Sequence, residues 1–166
     1  MWNSVVIRGD GNYVRVKAFA NLQDKVVVST ARFLEGGVPA HVIIGRHTSV
    51  GPLSVLRSCV IENEVMIGER CIVQEGSVVE SGSRLAPGTV VPPNTLIPSG
   101  SLYAGNPCAF VRTLTYDEKA EHAKLAEQMS RVADVYASQF TPANPLYIQA
   151  EKLRKEVGDR LGASEA

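Results

Sequence analysis

Few cysteines, few histidines, no excess of charge and no long apolar run mark this sequence, and each shortage removes a class of function. Cys59, Cys71 and Cys108 are an odd set, and none belongs to a C-x-x-C pair. Neither a disulfide framework nor a thiolate zinc site is therefore expected, and the thiols read as small buried hydrophobes. Lysine plus arginine equals aspartate plus glutamate at 17 each, so the electrostatic footprint of a nucleic-acid binder is missing and a neutral or protein partner is indicated. No window holds the uncharged apolar stretch that a membrane span needs. Met1 leads straight into Val5-Val6-Ile7 without an Arg- and Ser-rich amphipathic leader, so no organelle address can be read. At 166 residues the chain is sized for one domain.

What is present is a repeat of six. Aliphatic residues fall at Val16, Leu22 and Val28, at Val38, Ile44, Val50 and Leu56, and at Ile61, Ile67, Val73, Val79, Leu85, Val91 and Ile97. Small or β-branched residues recur four places later, among them Thr48, Ser54, Cys71, Ser77, Ser83 and Thr89. An amphipathic helix would repeat near 3.6 and a lone strand at 2, so a sustained six fits neither. It fits a left-handed parallel β-helix, in which each hexad makes one face and one corner and the aliphatic side chain points inside. The stretch from Thr30 to Gly37 breaks the period and reads as a loop pushed out of a coil. Gly76, Gly82, Gly88 and Asn94 suit corners that need a positive φ.

The composition changes after Gly105-Asn106-Pro107. Thr115-Tyr116-Asp117-Glu118 is a T-x-x-E capping box, followed by Leu125, Met129, Val132, Tyr136 and Phe140 at helical spacing, which predicts a helix over about 116–140. Pro142 and Pro145 stop it, and Leu146, Ala150, Leu153, Val157 and Leu161 support a second, short helix. The expected organisation is a β-helix over residues 1–110, a long helix within 111–140 packed on it, and an extension over 141–166 carrying the short helix.

Several stretches go beyond a generic hexad: Trp2 with Val6-Ile7-Arg8-Gly9-Asp10, Asn21-Leu22-Gln23-Asp24, Ile43-Ile44-Gly45, Val50 through Cys59, and Ile97 through Pro107. Over residues 2–115 the chain resembles the γ-class carbonic anhydrases, and among them the carbonic-anhydrase-like subunits of mitochondrial complex I. In that family three histidines, shared across a subunit boundary of a trimer, bind the catalytic metal. The resemblance places Ser29, Pro52 and Arg57 at those positions. A catalytic zinc needs three protein ligands and an open site for water. Serine is a poor neutral ligand and proline has no donor side chain. A guanidinium charge about 4 Å from a divalent cation costs on the order of 8 kcal/mol at an effective dielectric of 20. His41, His47 and His122 exhaust the histidines, and the first two fall at corner positions where local hydrogen bonding is the simpler role. The acidic set Glu62, Glu64, Glu69, Glu75 and Glu80 reads as a solvated rim.

No metal or other cofactor and no catalytic residue is therefore expected. Arg8, Asp10, Gln23 and Asp24 match family positions serving the surroundings of the site and the subunit contacts, and satisfying local corner hydrogen bonds is the plainer alternative for them. The resemblance implies a structural subunit of NADH:ubiquinone oxidoreductase. Its partners would be two other carbonic-anhydrase-like chains in a heterotrimer and membrane-arm subunits, peripheral to the matrix side of the mitochondrial inner membrane. The alternatives are a carbonic anhydrase with unusual ligands or a hexapeptide-repeat acyltransferase, the latter lacking a suitably placed histidine base. Members of the family usually have further coils before the tryptophan matched by Trp2, so the first coil is expected to be exposed for a cap, unless the true N-terminus differs.

Overall fold

The computed structural model describes residues 1–34 and 40–118, and residues 121, 124, 125, 128, 129, 131, 132 and 135 beyond them. The strands are short and follow one another in a fixed cycle. The first cycle is β1 (Val6–Arg8), β2 (Val14–Val16) and β3 (Asn21–Leu22). The second is β4 (Val27–Ser29), β5 (Val42–Ile44) and β6 (Ser49–Val50), and the third β7 (Val55–Arg57), β8 (Val60–Ile61) and β9 (Met66–Ile67). Then come β10 (Ile72–Val73), β11 (Val78–Val79) and β12 (Arg84–Leu85), and β13 (Val90–Val91), β14 (Leu96–Ile97) and β15 (Ser101–Ala104).

Every third strand stacks on the last. Sheet A runs β1-β4-β7-β10-β13, sheet B runs β14-β11-β8-β5-β2, and sheet C ends β15-β12-β9-β6-β3. All these pairings are parallel, so the chain winds as a three-sided parallel β-helix of five coils, as the period of six requires. The aliphatic residue of each hexad points inward. Leu22, Val28, Ile44, Val50, Leu56, Ile61, Ile67, Val73, Val79, Leu85, Val91 and Ile97 are all buried. Each such side chain contributes roughly 1.5–3 kcal/mol on burial, offset by the entropy of ordering it, which makes this ladder the main favourable term. Val16, in the first coil, departs from the pattern at 38 % exposure, because it has a stacked partner on one side only. Val38 lies outside the described residues.

Corners close the triangle. The small residues four places after each aliphatic one turn inward there, and their hydroxyls donate to backbone carbonyls: Thr48 to Glu62 at 2.8 Å, Ser54 to Gly68 at 3.0 Å and Ser77 to Pro92 at 2.8 Å. Gly76, Gly82, Gly88 and Asn94 have positive φ as expected, but so do Phe19, Lys25, His47, Leu53, Ser58, Glu64 and Arg70. Gly51, which follows an inward residue, permits close coil stacking: a Cβ there would stand 2.6 Å from the backbone of Gly68.

A strand not foreseen in the sequence, β16 (Ala109–Thr113), folds back antiparallel on β15, so β-structure runs three residues past position 110. The helix then starts at residue 116. Its capping box forms: the Thr115 N–H donates to Glu118 Oε2 at 2.9 Å, and the Glu118 N–H reaches Thr115 Oγ1 at 3.5 Å. Arg112 on β16 grips the same carboxylate with both guanidinium nitrogens, at 2.8 and 2.5 Å. Met66 and Arg84 of sheet C line a cavity of about 360 Å³ with Glu121, Lys124, Leu125 and Gln128, so the helix lies over sheet C. Tyr136, Phe140 and the extension over 141–166 lie outside the described residues.

Candidate functional site

Successive residues of a strand face opposite sides, and that rule places the residues singled out in the sequence. In β7, Leu56 points in and is buried, so Arg57 points out. Strand pairing sets Arg8, Ser29 and Arg57 directly above one another at the end of sheet A, where the chain turns toward sheet B. At the opposite edge of sheet A, where the chain arrives from sheet C, the backbone carbonyl of Asp24 accepts the Leu53 N–H at 3.0 Å and that of Pro52 accepts the Arg70 N–H at 2.9 Å. One chain thus brings Ser29 and Arg57 together and holds Pro52 apart from them, across the width of a face.

Arg57 is already engaged. Its Nε lies 2.6 Å from Glu75 Oε1, on the next coil, beside a shallow cavity of about 330 Å³ that Val55, Ile72, Gln74 and Pro93 also line. The side chains present at the three positions do not fit a divalent cation: one is a hydroxyl, one a guanidinium neutralised by its own carboxylate, and one a proline on another edge. Among the described residues no group of three or more His, Cys, Asp or Glu side chains could hold a metal ion.

The remaining residues fall on the same two edges. Arg8 pairs with Asp10 at 3.2 Å, both side chains well exposed. The Asp10 carboxyl is held below the usual carboxylate range, chiefly by its own backbone N–H and then by Arg8. Gln23 and Asp24 sit at the other edge, where the Asp24 Oδ1 accepts the Asn3 N–H at 3.0 Å. Burial pushes the Cys59 thiol up to about 12, and burial raises Cys71 and Cys108 as well.

Two expectations need correcting or extending. The acidic residues are exposed or half-buried, as a solvated rim would be, and three of them also staple one coil to the next. Glu62 accepts from the Ser81 N–H and hydroxyl at 3.0 and 2.8 Å, Glu80 accepts from the Ser99 N–H at 2.9 Å, and Glu75 holds Arg57. Corner amides left over by the strand ladder need acceptors, and a glutamate one coil earlier reaches them. His41 and His47 do lie by corners, but both are stacked on aromatic rings of the first coil, His41 on Tyr13 at 4.7 Å and His47 on Phe19 at 5.0 Å between centroids; His122 lies outside the described residues. Only the coil-to-coil offset, lengthened by the loop after Thr30, could have suggested those pairs.

A five-coil parallel β-helix with a helix laid on one face defines the hexapeptide-repeat class of proteins. No family model matches the chain. Carbonic anhydrase-like 1 of the γ class, a mitochondrial protein of Arabidopsis thaliana, is 50% identical over 158 residues, covering 95% of this chain and 63% of that protein. A probable carbonic anhydrase of Methanocaldococcus jannaschii is 47% identical over 118 residues, 71% of this chain and 70% of that one. A solved structure, a hexapeptide transferase family protein from Anaplasma phagocytophilum, superposes with a TM-score of 0.74 at 31% identity, covering 81% of this chain and 76% of that one. The chain belongs to the γ-class carbonic anhydrase family. It spans less than two thirds of the length of the Arabidopsis relatives it matches, at 62% and 63%.

Proposed function

We propose that this chain is a non-catalytic structural subunit of mitochondrial NADH:ubiquinone oxidoreductase, one member of a heterotrimer of carbonic-anhydrase-like chains on the matrix side of the inner membrane. The observation that carries this reading is Arg57, tied to Glu75 at 2.6 Å at a place where the resemblance puts a metal ligand. The Arabidopsis relatives are named carbonic anhydrase-like and mitochondrial, which supports the location.

The heterotrimer is supported by how sheet A is built. Its outward column is apolar, with Val6, Val27, Val55, Ile72 and Val90 stacked in register and Val6 and Ile72 at 45 % and 39 % exposure. Sheet C presents Asn21, Ser49, Met66, Arg84 and Leu102 and carries the chain's own helix. Sheet A also carries Arg8, Asp10, Ser29 and Arg57 at one edge and Gln23, Asp24 and Pro52 at the other. Two unlike edges that complete each other only between chains are what a head-to-tail ring requires. In this reading Arg8, Asp10, Gln23 and Asp24 hold the neighbouring chains.

The test is a native gel of mitochondrial membranes from cells expressing the tagged chain, with metal analysis of the purified chain. Migration with the respiratory complex and no stoichiometric metal on the chain is expected. A small soluble homotrimer, or one metal per chain, would sink the proposal.

A further inference from the structure

A second surface, distant from sheet A, has a chemistry that the proposed assembly does not use. At the corner between sheets B and C, opposite sheet A on the triangular prism, Arg15, Lys17, Arg46 and Asn63 line an open cavity of about 590 Å³ together with Val16 and Ala18. Three coils supply these residues. Arg15 heads the outward column of sheet B, directly above Ile43. Lys17 follows β2 and is fixed by its N–H, which donates to Ile44 at 2.9 Å. Arg46 follows β5, and its N–H donates to the Asn63 Oδ1 at 3.0 Å.

That last bond sets the character of the cavity. With its Oδ1 engaged, Asn63 has its side-chain N–H groups to offer. Arginine and lysine side chains are donors without acceptors. No carboxylate lines the cavity. Elsewhere Arg8, Arg57 and Arg112 each hold a carboxylate, whereas Arg15, Lys17 and Arg46 form no ion pair among the described residues. Of the two acids flanking Asn63, Glu62 has its carboxylate held by Ser81 on the next coil, and Glu64, whose N–H donates to the Arg46 carbonyl at 2.8 Å, is not among the residues that line the cavity. Three positive charges are thus concentrated at one corner of a chain whose net charge is +0.

We propose that this corner is a binding site for a phosphate group. The guanidinium fork matches two phosphate oxygens, and an ammonium beside it adds a point charge, so two arginines, a lysine and an amide can surround one phosphate with donors alone. The opening admits a phosphate carried on a larger molecule, whether a soluble phosphate ester or a lipid headgroup. The site is independent of the assembly proposed above, because the corner faces away from the edges of sheet A.

The full chain, alone or in the assembly with which it purifies, is tested with two probes at low salt. These are inorganic phosphate by titration calorimetry, and flotation with phosphatidylcholine vesicles with and without phosphatidylglycerol. Binding of inorganic phosphate assigns the site to soluble phosphates, and binding only to vesicles containing phosphatidylglycerol assigns it to headgroups. In either case the Arg15→Gln/Lys17→Gln/Arg46→Gln variant is expected to bind roughly tenfold or more weakly. Arg70→Gln, an exposed cation at another corner, should bind as the parent does. Should the triple variant melt early, Lys17→Gln alone serves, with a several-fold loss expected. The proposal is overturned if neither probe binds, if the Lys17 and triple variants bind like the parent, or if Arg70→Gln loses as much.

Discussion

Arg57 and Glu118 show how differently two exposed ion pairs behave. The Arg57–Glu75 pair is a single contact, with the arginine side chain 60% exposed, and such a pair is worth at most about 1 kcal/mol. Its importance is chemical, since it holds a cation in place where the resemblance puts a metal ligand. Glu118 instead receives Arg112, the Thr115 N–H and the Thr115 hydroxyl together. Arg112 first, and then the Thr115 backbone, lower its carboxyl from an ordinary 4.5 to about 2. A carboxyl whose folded value lies below its unfolded one stabilises the fold above the unfolded value and loses that contribution as the pH falls through the folded one. The start of the helix is therefore expected to stay closed at neutral pH and to loosen between 4.5 and about 2. Far-ultraviolet circular dichroism against pH checks this. Glu118→Gln should lack helix at neutral pH that the parent loses only in acid.

At the scale of the element, the period of six made the coils and the inward ladder readable from the sequence, because burial selects the same residue class at every step. The capping box was readable for a similar reason, as two orphan amides select Thr115 and Glu118. Other features were not readable. Glycine and asparagine announce a left-handed corner, but Leu53 and Phe19 adopt it without any such signal, at φ 61° and 58°. The stacked coils dictate the corner conformation there, and the residue bears a strain of about 1–2 kcal/mol. β16 was missed because its exposed residues carry no burial pattern. The two unlike edges of sheet A were invisible for another reason, since Pro52 and Arg57 are five positions apart in sequence yet belong to different edges. Within β7 the two sides should separate cleanly. Leu56→Ala is expected to cost about 2–5 kcal/mol, and Arg57→Ala no more than about 1 kcal/mol, as measured by urea unfolding.

For the whole molecule, the heterotrimer proposed above would be sensitive to each of the unlike edges of sheet A separately. In that proposed trimer, Asp24→Lys is expected to reduce association by roughly tenfold, a loss of 1.4 kcal/mol, because it removes the carboxylate that would meet the Arg8 edge of a neighbour. Sedimentation of the variant with its partner chains reads this, and an unchanged trimer would remove the edge-to-edge arrangement. The alternation seen in β7, with Leu56 inward and Arg57 outward, has a wider consequence. Each coil pairs only with the coils before and after it, as Ile72 does with Val55 and Val90, and folding information sits in every second letter of a strand. The letters between are free to mutate without the core registering the change. Such a scaffold can shed one chemistry and acquire another by drift alone, which makes its heritable shape a poor witness to its occupation and its outward letters the ones to read.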